Sequence, residues 1–526
     1  MPSSAPLPPA AFPRNTSQDP AGDSFWNGLD ERPGAIAGLV VAFTLLRLLL
    51  AATAPLLPQE AYYWTWSLRL DWSYFDHPPL ATYAIAATTA VLGQTAFAIK
   101  AAAVLWSIGW NVLWARLILD MYGDRHLAFW SLAALNLTLM FEVFAIGATP
   151  DGPLVFAWTG AIWAVWRATR SGAAGWWLAA GIFTGLSWLS KYSGVLLLPV
   201  VLFFLLASPQ QRHWLRDPKP YLVAIVAVVV FLPVLIWNAE HDWVSLAFQS
   251  TRRLGEMGGF KPRYVGLLLA TQLLMLTPYP FVIAIGALVR GVRHWFDEAT
   301  DDRARLLLLS AIVPIALCLV LSLRSIVKLN WLAPAWWSLI ILGVRHVLAG
   351  TGGRRRLGRG LASSAALLLA LGVAVSIPNL PVPGDLNSWS GWPQAAAGVE
   401  RALIAERAHG KEVFVFSPNY KISSLIRFYL PGHPRTYAQD IYGDRALQFD
   451  MVPLDSDLRG ATGLLVVSDQ DQSQLDLKRL QPLFERIERV DVATVEAFGR
   501  VTRRVEIYRC TNYRGHPRRP AAPVAS

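Results

Sequence analysis

The chain is poor in charged residues and in cysteine. Only 16% of its 526 residues are charged, whereas 54% are hydrophobic, and soluble domains carry about 25% charged residues. This deficit argues against a soluble protein and predicts a membrane protein with many spans. The two cysteines, Cys318 and Cys510, lie far apart in the sequence, which excludes a disulfide framework and a paired-cysteine metal site. No internal repeat is visible.

The N-terminal residues 1–33 are rich in Pro, Ser and Asp, and no basic stretch precedes an apolar core there. They predict a disordered cytoplasmic tail followed by an uncleaved first helix. The net charge of +11 raises the question of a nucleic-acid partner. However, basic residues such as Arg354–Arg356 and Arg359 cluster at the ends of apolar runs, as expected for cytoplasmic loops. The pattern therefore favours membrane lipids as partners and argues against nucleic acid.

Residues 34–378 form the predicted membrane module. Several runs are shorter than the roughly 20 residues of a straight span, and the stretch His126–Gly147 is ambiguous. Counting that stretch as two segments gives about thirteen transmembrane segments. The clear apolar runs are Ala35–Pro55, Leu80–Gly93, Phe97–Leu117, Gly152–Ala168, Trp176–Leu189, Ser193–Ala207, Tyr221–Trp237, Tyr264–Val289, Arg305–Leu323, Trp331–Val347 and Leu361–Ile377.

The distribution of basic residues predicts the orientation of the module. Arg167, Arg170 and the loop Gln210–Lys219 are assigned to the cytoplasm. The loop Gln59–Pro79, Asp151 and the C-terminal region then face the other side. These placements agree only if His126–Gly147 crosses twice, or dips into the membrane and returns as two short helices. The sequence thus predicts a multi-pass inner-membrane protein with its polar loops outside.

The composition changes after Asn379. Short β-rich runs at Val413–Ser417, Leu464–Ser468 and Val505–Arg509 surround a helical stretch near Ile422–Tyr429. This alternation predicts a small extracytoplasmic α/β domain over residues 379–514. The prolines and arginines of residues 515–526 predict a disordered tail.

The loop Gln59–Pro79 carries the clearest chemical signal. Glu60 and Asp76 are carboxylates at the membrane surface, where either can accept a proton from an attacking hydroxyl. His77, before two prolines, offers a donor for phosphate. The alternative is an amphipathic interfacial helix with an ordinary aromatic belt. We favour a site, whose pocket would also be lined by Tyr62, Tyr63 and Tyr74.

Four further clusters carry charge beside or within apolar runs. Asp151, in ATPDGPL, is either a second acid on the same face or a helix N-cap. Lys191, in WLSKYSG, either joins the site or reaches the interface as a snorkelling side chain. Cations are disfavoured in outer loops, so those found there are read as phosphate ligands. The cations concerned are Arg252, Arg253, Arg324 and Lys328.

Two acids and several cations at one membrane face suit glycosyl transfer from a lipid phosphate. At this point the sequence resembles the membrane glycosyltransferases of the GT-C fold. The segments that carry the resemblance are QEAYYWTWS, SYFDHPPL, TPDGPL, KYSGVLL, PVLIWNAEHDWVS, VKLNWLAPAW and FSPNYKISSLIRFYLPG. The most similar branch includes bacterial lipid A aminoarabinose transferases and protein O-mannosyltransferase relatives.

The resemblance implies inverting transfer of a sugar from a polyprenyl phosphate donor to an acceptor on the outer face. It implies a catalytic acid in the first loop, where the family has Asp-Glu and this chain has Gln59–Glu60. Gln59 cannot act as a base, so Glu60, Asp76 or Asp151 takes that role and Gln59 binds substrate. The family's Glu-Lys-Pro turn is replaced by Asp76, His77 and proline. Lys328 and Trp331 match a donor-binding turn.

Some alternatives stay open at the level of sequence. The acceptor is a lipid, another glycan or a protein, and the sugar is a pentose, a hexose or a uronic acid. A transporter or flippase of a lipid-linked sugar is the non-enzymatic alternative, although it would often show inverted repeats. No metal site is predicted, and the sequence decides neither the participation of a divalent cation nor the oligomeric state.

Overall fold

The computed structural model describes residues 24–255, 258–297, 301–382, 387–408, 410, 412–451, 458–469 and 477–515. Up to residue 376 the described chain is built from helices. Their bounds are α1 Ser24–Glu31, α2 Ala35–Thr53, α3 Pro58–Ser67, α4 Leu80–Leu92, α5 Ala96–Tyr122, α6 Arg125–Asn136, α7 Leu139–Ile146, α8 Asp151–Ser171, α9 Ala174–Ser190, α10 Leu197–Ala207, α11 Tyr221–Glu240, α12 Val244–Gly255, α13 Arg263–Leu276, α14 Pro278–Arg293, α15 Asp302–Ser322, α16 Ala333–Leu348 and α17 Gly353–Ser376.

The helical module contains several helices that suit a membrane. Within the described residues, five are long and apolar enough to cross it, namely α2, α5, α11, α15 and α17, and the bent pair of α6 and α7 would make a sixth. Shorter apolar helices accompany them, among them α4, α13 and α16. The clear apolar runs of the sequence lie largely within helices, one of them divided between two, but the number of thirteen segments stays a prediction.

Two predicted segments are broken helices. The stretch His126–Gly147 forms α6 and α7, which meet at an angle of 75°, consistent with the expected pair of short helices. The run Tyr264–Val289, expected to be continuous, is instead divided into α13 and α14. Pro278 has no amide hydrogen and restricts the residue before it, and Thr277 adopts a φ of 63°.

The two breaks meet inside the module. The hydroxyl of Thr277 donates to the carbonyl of Leu137, which lies between α6 and α7, over 3.1 Å. It also pairs with the hydroxyl of Ser364 at 2.8 Å. Backbone groups that leave a helix within a membrane need such partners. A side chain at one break thus satisfies the backbone at the other.

The N-terminal tail predicted for residues 1–33 ends earlier than expected, because a helix already begins at Ser24. Residues Ser24–Glu31, which the prediction assigned to a disordered tail, form helix α1. Asp30 is the reason, because its buried carboxylate accepts from the indole of Trp130 at 2.8 Å and pairs with Arg354 at 3.1 Å. The helix is therefore fixed against α6 and α17. The predicted tail before residue 24 lies outside the described residues, as does the C-terminal tail from residue 516.

The C-terminal part contains a five-stranded sheet. The strand order is β2-β1-β3-β5-β4, with β1 parallel to β2 and β3, and β5 antiparallel to β3 and β4. Each of the four stretches singled out in the sequence coincides with an element of this part. The bounds are α18 Trp392–Arg407, β1 Val413–Phe416, α19 Tyr420–Tyr429, β2 Thr436–Tyr437, α20 Gln448–Met451, β3 Thr462–Ser468, α21 Leu477–Leu480, β4 Arg486–Ala497 and β5 Arg500–Thr511.

The first polar loop packs directly against this C-terminal part. Trp64 and Phe75 of the loop share one buried core with Trp392 and Val399 of α18. The ring of Trp64 also meets that of Phe428 edge-on, with centroids 5.0 Å apart. The aromatic residues of the loop are thus mostly core residues joining the two parts of the chain. Their number in the sequence reflects this packing.

Candidate active site

Helix α3 begins the site, with Pro58 at its first position, where a missing amide hydrogen costs nothing. Glu60 is fully buried and accepts from the amide of Leu57 at 2.8 Å. It also pairs with Lys100 of α5 at 2.6 Å and accepts from the amide of Ala148 at 3.0 Å. Both of its oxygens are therefore bonded. Glu60 ties the first loop to α5 and to the loop that leads to α8.

Asp76 lies at the other end of the first loop. Its side chain is largely buried, and one carboxylate oxygen accepts from the hydroxyl of Tyr62 at 3.1 Å. Its backbone carbonyl accepts from the side-chain amide of Gln249 on α12 at 2.7 Å. The carboxylate is thus oriented by a tyrosine and its backbone is fixed by a neighbouring helix. This is the setting of a positioned proton acceptor.

Tyr62 and Tyr63 remain protonated in this environment. Burial and the nearby charge of Asp76 raise the pKa of both phenols well above their usual range. Asp151 contributes to the raised pKa of Tyr63, and Gln59 forms a hydrogen bond with the same phenol. The ring of Tyr63 also faces His77, with centroids 6.0 Å apart. The charges of both predicted acids, 76 and 151, therefore act on the phenol of Tyr63.

Asp151 begins helix α8 but does not cap it through its side chain. One oxygen pairs with Lys191 at 2.8 Å, and the other accepts from the side-chain amide of Asn330 at 2.8 Å. Lys191 thus pairs with an acid of the candidate site, so that interfacial snorkelling is not needed to explain it. Asp151 joins α8, the end of α9 and the loop before α16 in one polar cluster.

Tyr192 follows Lys191 and extends the polar cluster towards the first loop. Its hydroxyl lies 2.5 Å from that of Ser245 on α12, the helix whose Gln249 donates to the backbone of Asp76. Elements from four parts of the chain therefore converge around Asp76 and Asp151. They are the first loop, the α9 end, α12 and the loop before α16.

Tyr74 has a more structural environment than the other predicted pocket residues. Its ring stacks on Trp66 with centroids 4.7 Å apart, and its hydroxyl accepts from the amide of Asp71 at 3.2 Å. The side chain is buried. It holds the turn of the first loop, whereas a direct contact of Tyr74 with substrate stays a prediction.

The predicted cations are only partly described. Arg252 and Arg253 lie on helix α12, but their side chains are outside the described part of the structure. Arg324 and Lys328 are exposed, and Trp331 is half-buried. Lys328 and Trp331 flank Asn330, the residue that binds Asp151, so the loop carries an exposed cation beside the cluster. Phosphate binding by these residues stays a prediction.

Sequence reasoning missed several residues of the site. Lys100 interrupts the apolar run Phe97–Leu117 close to its start, and a cation within an apolar run was the available signal for a buried ion pair. Asn330 lies between Lys328 and Trp331 in the sequence, but an amide alone has no distinctive spacing. Gln249 and Tyr192 came to the site only through the folding of distant segments. Among the described residues no group of three His, Cys, Asp or Glu side chains is arranged to hold a metal ion.

Comparison with known proteins finds similar sequences and similar folds. Residues 76–237 match the family described as dolichyl-phosphate-mannose-protein mannosyltransferase, and this region includes both Asp76 and Asp151. A curated relative is the lipid A galacturonosyltransferase RgtD from Rhizobium johnstonii. It is 26% identical over 435 residues, which cover 76% of this chain and 84% of the relative.

Solved structures show the fold. ArnT from Cupriavidus metallidurans in the apo state matches with a TM-score of 0.62 at 16% sequence identity, covering 90% of this chain and 98% of that chain. The structure of the same protein bound to undecaprenyl phosphate gives a TM-score of 0.62 over 91% of this chain. The resemblance found in the sequence is thereby confirmed: the chain has the fold of these solved structures, and the matched family and the curated relative are both named as glycosyltransferases.

Proposed function

We propose that this glycosyltransferase moves a sugar from a polyprenyl phosphate, such as undecaprenyl phosphate, to a lipid or glycan acceptor at the periplasmic face of the inner membrane. The observation that carries the proposal is that helix α12 links the two acids. Its Gln249 donates to the backbone of Asp76, and its Ser245 bonds to Tyr192, the neighbour of the Lys191 that pairs with Asp151. Two acids from separate loops, with Lys191 and exposed Lys328 nearby, suit both halves of such a transfer. They suit proton removal from an acceptor and stabilisation of a departing phosphate.

In the proposed reaction, an acceptor hydroxyl attacks the anomeric carbon from the face opposite the lipid phosphate. The new carbon–oxygen bond forms as the bond to the phosphate breaks, and the configuration is inverted. The polyprenyl phosphate leaves with the electron pair. A carboxylate takes the proton of the hydroxyl, so that no charged oxonium is left on the product.

Asp76 is the proposed base. Glu60, the other acid of the first loop, accepts two backbone amides and pairs with Lys100, an arrangement that suits a structural anchor. Asp76 instead accepts from the phenol of Tyr62, a donor that orients the carboxylate towards the pocket. Asp151 is bonded on both oxygens and is proposed to position Lys191.

Cations near the cluster are proposed to stabilise the departing phosphate. Lys191 lies in the cluster itself, Lys328 is exposed two residues before Asn330, and Arg324 is exposed in the same loop. A positive charge placed in advance where negative charge develops lowers the barrier most in a water-poor site. Arg252 and Arg253, on α12, are proposed as further phosphate ligands. His77 and Gln59 are proposed to contact the donor, as are Trp331 and Tyr74 from the sequence pattern.

The name of the curated relative supports a proposal for the sugar and for the acceptor. RgtD is described as a lipid A galacturonosyltransferase, so a uronic acid is the proposed sugar and lipid A the proposed acceptor. The matched family's description names a protein acceptor instead, which makes protein the second candidate. Residues 34–378 are proposed as the catalytic membrane module and residues 379–514 as a periplasmic α/β domain.

Mass spectrometry of envelope lipids from cells with and without the gene tests this proposal. We expect lipid A to lose a mass of one uronic acid when the gene is deleted, and to regain it with the wild-type gene but not with a gene encoding Asp76→Asn. Unchanged lipid A, accompanied by loss of a hexose from envelope proteins, would favour the protein acceptor. Unchanged glycosylation of every envelope component would overturn the proposal.

A further inference from the structure

A segment of the C-terminal part lies over the first loop beside Asp76. We call residues 438–451 the C-terminal strap. The amide of Gln448 in this strap donates to the hydroxyl of Tyr62 at 3.1 Å, and the amide of Phe75 donates to the side-chain oxygen of Gln448 at 2.7 Å. The ring of Phe449 lies nearly parallel to that of Tyr62, with centroids 6.5 Å apart. The strap therefore packs against the first loop next to the proposed base.

The hydrogen bonds form a chain that ends on the proposed base. Gln448 donates to the phenol of Tyr62, and the same phenol donates to the carboxylate of Asp76 at 3.1 Å. Because Phe75 directly precedes Asp76, the second bond of Gln448 fixes the backbone at that point too. The position of the strap is thus defined relative to the reacting groups, although the two lie more than 370 residues apart in sequence.

Arg445 belongs to the strap and contacts the first loop. Its side chain is exposed, and its guanidinium lies over the ring of Phe75, 5.6 Å from the ring centroid. Packing on an aromatic face orients a guanidinium while leaving its N–H groups directed outward. A cation is therefore held over the ring of the residue that precedes the proposed base in the sequence.

The acidic neighbours of Arg445 have other partners. Asp444 forms an ion pair with Arg479 at 2.6 Å. Asp450 accepts from the backbone amide of Ala446 at 2.9 Å, and burial raises its pKa to about 6, with the charge of Arg445 acting in the opposite direction. Asp450 therefore offsets part of the local positive charge, but its hydrogen bond is used within the strap.

We propose that Arg445 binds an anionic group, a phosphate or a carboxylate, on the substrate held at Asp76, and that this contact selects acidic substrates. The inference rests on the proposed function. A guanidinium presents paired donors that match both anions. The phosphate of the donor is already assigned to Lys191 and Lys328. Two further sources carry such a group in the proposed reaction, namely the carboxylate of a uronic acid on the donor and a phosphate on lipid A.

The test uses the full chain in nanodiscs and the variant Arg445→Gln, with Arg445→Lys to restore the charge. Arg500→Gln is the matched control, because it also removes an exposed arginine of the C-terminal part and lies on β5, outside the strap. The probes are bisphosphorylated lipid A, monophosphoryl lipid A, and polyprenyl phosphates carrying a uronic acid or a neutral hexose. We expect Arg445→Gln to raise the KM for the anionic substrate about tenfold, as is usual for loss of one charged contact, with kcat nearly unchanged.

The pattern of the increase identifies the source of the anion. If the KM rises only with the uronic acid donor, Arg445 binds the sugar carboxylate. If the rise disappears when monophosphoryl lipid A replaces bisphosphorylated lipid A, Arg445 binds the acceptor phosphate. Both outcomes support the inference, and Arg445→Lys should recover part of the loss. Equal KM values for wild type and Arg445→Gln, or an equal increase with neutral and anionic substrates, would overturn it.

Failure of the proposed function gives a different result. In that case the wild-type protein would transfer no sugar from any of these donors. Equilibrium binding of bisphosphorylated lipid A and of the uronic acid donor, measured without turnover, then tests Arg445 separately. Tighter binding by the wild type and by Arg500→Gln than by Arg445→Gln would support the inference. Equal binding of both probes by all three proteins would contradict it.

Discussion

Replacing Lys100 by Met removes one partner of a fully buried ion pair. The ammonium of Lys100 lies 2.6 Å from Glu60, and the two side chains are 2% and 0% exposed. In the variant, the carboxylate of Glu60 keeps only its two backbone amide donors, from Leu57 and Ala148. A buried charge that loses its partner destabilises a protein by about 3–5 kcal/mol. We expect Lys100→Met to lower the thermal unfolding midpoint of the detergent-solubilised protein clearly.

A double variant separates charge burial from catalysis. Lys100→Met combined with Glu60→Gln removes both charges, and replacing a whole buried pair by neutral groups is often nearly neutral in stability. We therefore expect the double variant to recover most of the lost unfolding free energy and to retain measurable sugar transfer. The assays are thermal unfolding followed by intrinsic tryptophan fluorescence, and transfer of a radiolabelled sugar to lipid A.

Two results would refute this reasoning. If Lys100→Met unfolded at the wild-type midpoint, the ion pair would not stabilise the first loop. If the double variant were folded but inactive, Glu60 would be the base and the assignment to Asp76 would be wrong. A charge-preserving control, Lys100→Arg, is expected to fall between the wild type and Lys100→Met because the larger guanidinium must fit the same buried space.

Further substitutions test the other groups. Asp76→Asn should reduce transfer roughly 10²–10⁴-fold, as loss of a general base does, with unchanged membrane expression on immunoblots; wild-type turnover would contradict the assignment. Asp151→Asn and Lys191→Met should each impair transfer, and their double variant should be no worse than the poorer single one; additive losses in turnover assays would argue against a coupled pair. Gln59→Asp should not raise the initial rate, since the proposed base is elsewhere; a large gain would place the chemistry at position 59. Burial raises the pKa of Asp440 from 3.8 to about 6, so the folded state retains a proton that the unfolded chain releases. The unfolding free energy should fall as the pH rises through this window, and Asp440→Asn should flatten the thermal midpoints measured across it; an unchanged slope would mean that Asp440 is not the group responsible.

The sequence predicted the parts of the fold that have a strong local signal. Membrane-length apolar runs lie on helices because only helices satisfy the backbone in lipid. The run Tyr264–Val289 was wrongly taken as one helix, since hydropathy is insensitive to the break that Thr277 and Pro278 introduce. Helix α1 was missed because its stability comes from the buried partners of Asp30, which lie on distant helices.

The candidate site was predictable in its residue types but not in their partners. The sequence identified Asp76 and Asp151 as acids of one membrane face. It left Glu60 as an equal candidate, because the ion pair with Lys100 joins residues 40 positions apart. The strap that covers the first loop was not foreseen at all. Gln448 reaches Tyr62 across 386 positions, and no local pattern encodes a contact of that range.

Transfer by the purified chain tests the central claim most directly. Wild-type protein and Asp76→Asn are incubated in detergent with lipid A and with a polyprenyl phosphate that carries a uronic acid. The mass of lipid A is then measured by mass spectrometry. The absence of a sealed compartment separates transfer from transport. We predict that lipid A gains the mass of one uronic acid with the wild type and almost none with Asp76→Asn. Product formation at equal rates by both proteins would contradict the account.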